Sequence, residues 1–100
     1  MGKTSNQIYM DYQAVRQKAS RLDELANEIK AIAQNEIACH CSKQSSWKGD
    51  SGDEYRQKLT KLENNLNKRA NELQKTASAL RSSAERQYRL EMALVSLVSR

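Results

Sequence analysis

Residues 42–53 read Ser-Lys-Gln-Ser-Ser-Trp-Lys-Gly-Asp-Ser-Gly-Asp, at the midpoint of a 100-residue chain. Serine, glycine and aspartate are loop formers, and this stretch holds every glycine of the chain except Gly2. It also holds the only tryptophan, Trp47, two residues before Gly49. On each side lies a long segment whose apolar residues recur at helical spacing. The stretch therefore reads as the bend, at about 42–52, of a two-helix hairpin. Gly49 there supplies a backbone conformation that a Cβ would resist.

Upstream, the stripe is Tyr12, Val15, Ala19, Leu22, Ala26, Ile29 and Ala33, widened by Leu25, Ile32 and Ile37. Val15, Leu22 and Ile29 are seven apart, which puts them on one face of a helix in nearly heptad register. Thr4 and Gln7 fit a capping box, in which each side chain satisfies a free amide at the helix start. The first helix is predicted at about 6–40. Small alanines alternate with branched residues along its face, as in a packed seam rather than a ligand cavity.

Downstream, Leu59, Leu66, Leu73 and Leu80 are again seven apart, with Leu62, Ala70, Ala77 and Ala84 between or beside them. Ser51-Gly52-Asp53-Glu54 reads as a second capping box, its acids at the positive end of the helix dipole. The second helix is predicted at about 53–98. Its last turns, Leu90, Met92, Ala93, Leu94, Val95, Leu97 and Val98, are apolar on several sides. Such a segment wants cover. Leu90, Leu94, Val95 and Val98 form either a docking tail or a cap on the open end of the bundle beside Ile8 and Tyr9. Trp47 likewise has two compatible readings, a plug closing the hairpin or a recognition element presented to another protein.

Composition agrees with long helices. There is no proline, which would break a helix interior, and no phenylalanine. Hydrophobic residues make up 38% of the chain, many of them alanine, enough for narrow seams but not for a thick core. Two antiparallel helices alone leave a face of each seam wet, so a partner chain is expected. The predicted class is all-α, a single hairpin over residues 1–100 that pairs with a second chain into a four-helix bundle.

The net charge is +5, with seven Lys/Arg against six Asp/Glu in residues 1–50 and ten against six in residues 51–100. That excess offers a handle for nucleic acid or anionic lipid. The cations alternate with acids, however, as in Lys61/Glu63, Lys68/Arg69/Glu72 and Glu85/Arg86. A solvated mixed-charge face is the expected reading, and no nucleic acid is expected as partner. Residues 1–10 are polar and unlike a secretory signal peptide. The run from Leu90 to Val98 is about half of the roughly 20 residues needed to span a bilayer, so no stable membrane insertion is expected.

Cys39-His40-Cys41 holds the only histidine and the only cysteines. A structural zinc site wants four ligands, with two to four residues between paired cysteines. Here one residue intervenes and no fourth Cys or His exists, so a metal would need a second chain. A Cys39–Cys41 disulfide would be cramped, and an intermolecular or transient bond fits better. The triplet having no chemistry at all is the expected reading. No phosphate loop, paired carboxylates or oriented nucleophile stands elsewhere. No enzyme, cofactor or metal is expected.

Together, the length near 100, the central Trp47-Lys48-Gly49, the flanking amphipathic helices and the absence of a signal peptide resemble the WXG family. These are the ESAT-like hairpin proteins of type VII (ESX) secretion, and the resemblance covers the whole chain. It implies antiparallel pairing into a four-helix bundle, as a homodimer or a heterodimer with another helical hairpin. It also implies export from the cytoplasm, folded and without a signal peptide, through a type VII translocase. Many members act as carriers or targeting partners for larger effectors, among them toxins with long helical N-terminal domains (the LXG class). Trp47 and Gly49 match the family's bend motif. The family's export signal, Tyr-X-X-X-Asp/Glu, is not matched: Tyr88 is followed at the fourth position by Met92, and Glu91 comes one residue early. That departure favours travel with a partner that carries the signal. The expected function is therefore a non-enzymatic type VII substrate or effector-targeting partner. The alternatives are a nucleic-acid-binding basic hairpin and a structural coiled-coil component.

Overall fold

The computed structural model describes residues 3–37, 39 and 50–98. Among them residues 5–37, 39 and 50–98 are helical and no strand is present. Helix α1 runs Ser5–Ala31 and continues as a π-helical turn over Ile32–Ile37. Helix α2 runs Asp50–Val98. The fold is the two-helix hairpin that the apolar periodicity predicts.

The start of α1 is capped as its sequence demands. The Thr4 amide donates to Gln7 Oε1 at 3.0 Å, and the Gln7 amide donates to Thr4 Oγ1 at 3.2 Å. These two bonds satisfy amides that the first turn leaves without helical partners. The Ile8 amide then donates to the Thr4 carbonyl at 3.0 Å, and the regular ladder begins.

Two boundaries differ from expectation. The first arm is not one α-helix to about residue 40, because from Ile32 its hydrogen bonds widen to the π pattern. The second helix starts at Asp50, not near 53, so Gly52 and Asp53 lie inside it. Asp53 ion-pairs with Arg56 one turn on. Asp53 and Glu54 sit in the first two turns, where the helix dipole favours acids.

The chain divides into two compact units, each with one segment from either arm. The first comprises residues 1–23 and 75–100. Its segments are antiparallel: Tyr12 stacks on Tyr88 with ring centroids 4.7 Å apart, and Asp23 pairs with Arg81 at 2.5 Å. Ile8, Ala19, Ala77 and Ala84 are its buried apolar residues. The second unit comprises residues 24–74, where Lys30 Nζ donates to Gln74 Oε1 at 3.1 Å. Ala26, Ala33, Ile37 and Ala70 are buried there.

The buried line is thus mainly alanine, spaced by seven on both arms: Ala19, Ala26, Ala33, and Ala70, Ala77, Ala84. Side chains this small let two backbones approach closely, and no larger side chain is completely buried among the described residues. The branched residues flank that line, half covered.

Candidate interaction surface

The first unit carries both an ion pair across the helices and a groove of mixed lining. Arg81 and Asp23 close one edge with a part-buried ion pair. Val15 and Leu80 line an open groove of about 340 Å³, with Ile8, Tyr12, Ala84 and Tyr88 along its wall. Lys3 stands at its end, 2.9 Å from Asp11 and 3.2 Å from Glu91. These two carboxylates, Asp11 first, raise the Lys3 pKa above its ordinary 10.5 by hydrogen bonding. Arg16 lies 5.5 Å from the Tyr12 ring centroid, a cation over the aromatic face.

The leucines expected to form a bundle interface do not close a core within the chain. In the first unit Val15, Leu22 and Leu80 are half-buried. In the second, Ile29, Leu59, Leu66 and Leu73 are half-buried and Leu62 is 47% exposed. Ile32 and Tyr55 are also exposed. In this position a leucine has lost some water but still has apolar surface to cover.

The C-terminal turns of α2 are barer. Leu90, Leu94 and Leu97 are 61–63% exposed and Val98 is 84% exposed, while Met92 and Val95 are half-buried. On α1, Tyr9 and Met10 are exposed as well, although Ile8 is buried. Apolar side chains at positions 90, 94, 97 and 98 fall on one helical face. The sequence marks Leu90, Leu94, Val95 and Val98 as the tail, and Leu97, seven residues after Leu90 and three after Leu94, shares the exposed face.

The charged residues form a mixed face. Arg69 pairs with Glu72 at 3.1 Å and Arg89 with Glu85 at 2.6 Å, both one helical turn apart. Exposed pairs of this kind contribute little stability, roughly 0.3–0.5 kcal/mol each. They do occupy cations that a nucleic-acid face would need free.

Trp47, Gly49, His40 and Cys41 lie outside the described residues. Cys39 is described and carries an exposed free thiol. Among the described residues no group of three or more His, Cys, Asp and Glu is arranged to hold a metal ion. Among them too, no helix is long and apolar enough to cross a membrane.

No curated protein and no solved structure matches the chain. A family model does: the one described as proteins of 100 residues with WXG matches residues 7–89. That span takes in both arms and the Trp47-Lys48-Gly49 segment between them. The chain therefore belongs to the WXG100 family of small helical proteins, of the type VII secretion kind.

Proposed function

We propose that this protein is a non-enzymatic type VII secretion substrate or effector-targeting partner that acts by packing its half-covered apolar edge against a second helical chain. The family is one of small non-catalytic secreted proteins that form protein–protein complexes. The carrying observation is the pattern of burial. Alanines are sealed inside, while Val15, Leu22, Ile29, Leu59, Leu66, Leu73 and Leu80 are left half-covered and Leu62 bare. Burying apolar area contributes about 25 cal/mol per Å², so each such leucine gains by finding a neighbour. A chain this short, whose sealed core is mostly alanine, has little stability to spare without one.

In this reading the second chain completes a four-helix bundle. It is either a second copy, another hairpin protein, or the helical N-terminal domain of a secreted toxin. The tail carrying Leu90, Leu94, Val95 and Val98 and the bend carrying Trp47 and Gly49 are the elements presented for recognition by that partner or by the translocase. The protein is made in the cytoplasm and leaves by the type VII route without a signal peptide. The lack of Tyr-X-X-X-Asp/Glu supports export in company with a chain that carries it.

The test is export of the double variant Trp47→Ala, Gly49→Ala in a strain with a working type VII system. Circular dichroism should show near-normal helicity, while export or partner capture falls. Unchanged export with unchanged helicity would remove the role assigned to the bend. A parallel variant, Leu66→Asp with Leu73→Asp, should lose partner capture by placing charges on the packing edge.

A further inference from the structure

Within the first unit the apolar pattern alone does not define how far α2 is slid along α1. Ala77 and Ala84, both buried on α2, are seven residues apart, and Leu80 lies three after Ala77. The same spacing recurs one heptad upstream, where Ala70 precedes Leu73. A slip of seven residues would bring Ala77 to the place of Ala84, Ala70 to that of Ala77 and Leu73 to that of Leu80. It would offer α1 an equivalent apolar face. The connection leaves length for it: the π-turn ends at Ile37 and α2 begins at Asp50, and the residues between outnumber the roughly two to eight of a tight helix–helix link. The opposite slip is already disfavoured, since Glu91 would take the place of Ala84 and Gln87 that of Leu80.

Three contacts across the unit do not repeat every seven residues. Asp23 pairs with Arg81 at 2.5 Å, Tyr12 stacks on Tyr88 with centroids 4.7 Å apart, and Lys3 bonds Glu91 at 3.2 Å. The slip would set Gln74 opposite Asp23. It would set Arg81 against Tyr12, where Arg16 already stands 5.5 Å from the ring centroid. It would also draw Glu91 away from Lys3. Glu91 continues the seven-residue line of Ala77 and Ala84, and its side chain is only 16% exposed. A carboxylate so covered needs its bonds, one from Lys3 and one from Gln87 at 2.8 Å.

We propose that Asp23–Arg81, Tyr12–Tyr88 and Lys3–Glu91 act together as a register key that selects one of two apolar-equivalent alignments of the arms in this unit. Polar groups at a helix seam serve the choice of alignment better than they serve stability. A heptad slip is about 10 Å along the axis. The key therefore also fixes where Leu90, Leu94, Leu97 and Val98 stand relative to the start of α1. The inference holds whether or not the protein is exported.

Spin labels can read the alignment. Ser20 and Ser96 are both exposed; Ser20 lies three residues before Asp23, and Ser96 fifteen after Arg81, so the two are offset along the axis. Each is replaced by a labelled cysteine in a Cys39→Ser, Cys41→Ser background. Dilution into unlabelled chain restricts the measured distance, by double electron–electron resonance, to pairs within one chain. The chain with its key intact should give one narrow distance. Lys3→Glu with Asp23→Arg places like charges at both ion pairs. It should lose that single distance, either to a second population longer by up to about 10 Å or with loss of helicity by circular dichroism. Adding Arg81→Asp and Glu91→Lys re-forms both pairs with reversed sign, and should restore the helicity and the single distance. Two outcomes would overturn the proposal. One is a like-charge variant that keeps the natural distance alone, meaning that apolar packing sets the alignment. The other is a reversed-pair variant that recovers nothing, meaning that these residues do not act as pairs.

Discussion

Ala26, like Ala19, Ala33, Ala70 and Ala77, has no exposed surface, although alanine is the smallest side chain that still defines a helix face. Close helix approach depends on that smallness. Ala26→Leu should force the arms apart and cost about 1–3 kcal/mol, the usual penalty for overpacking. For a chain of this length that is a fall in Tm of about 4–8 °C per kcal/mol. Ala79→Leu, on the exposed face of α2, should stay within about 0.5 kcal/mol of the natural chain. Thermal melts of the two, side by side, check the assignment. Lys3 offers a second test at this scale. Its pKa is raised by bonding to Asp11 and then Glu91, so its interaction is fully present below 10.5 and is lost as pH rises through the higher folded value. NMR titration of the Lys3 side chain should show that higher value. Asp11→Asn should lower it more than Glu91→Gln, and equal effects would give the two carboxylates equal hold on Lys3.

The helices were legible because their apolar residues repeat with little interruption. Val15, Leu22 and Ile29 on one arm and Leu59, Leu66, Leu73 and Leu80 on the other mark a face at any starting phase. Thr4 and Gln7 marked the start of α1, and the structure forms both of their bonds. Which residues sit deepest was less legible. Heptad reading ranks leucine above alanine, yet the alanines are sealed and the leucines flank them. Periodicity gives a face, while the separation of the two backbones decides what fits at its centre. The start of α2 was drawn late because Ser51 and Gly52 are typical cap residues, whereas the helix admits both in its first turn. At the far end of α2, Leu94 and Leu97 are exposed, so they contribute little to folding of the chain by itself. Leu94→Ser with Leu97→Ser should therefore leave Tm almost unchanged, within about 1 kcal/mol in stability for the pair. Partner capture should fall if the tail docks. A large loss of Tm would instead assign the tail to the chain's own core.

For the whole molecule, the balance between what is sealed and what is half-covered governs behaviour in solution. Among the described residues Ile8, Ile37 and a line of alanines are a slender core, and a chain of this kind gains stability by mass action when a second chain covers its leucines. Stability then depends on concentration. At a hundred times the dissociation constant the gain is about 2.7 kcal/mol, which for a chain of this length raises Tm by roughly 10–20 °C. Circular dichroism melts over a hundred-fold concentration range should show that rise, together with a light-scattering mass near twice 11.4 kDa at the upper end. The same melts repeated in high salt separate packing from charge. An edge made of Ile29, Leu66 and Leu73 should hold or strengthen its pairing, whereas a contact built on the net charge of +5 should weaken as salt screens it. If Tm stays flat with concentration and the mass stays at one chain, the leucine edge is not a surface for a second copy. Adding a candidate helical effector domain at fixed concentration then decides whether a different chain covers it, because only a true occupant raises Tm in proportion to the logarithm of its own excess.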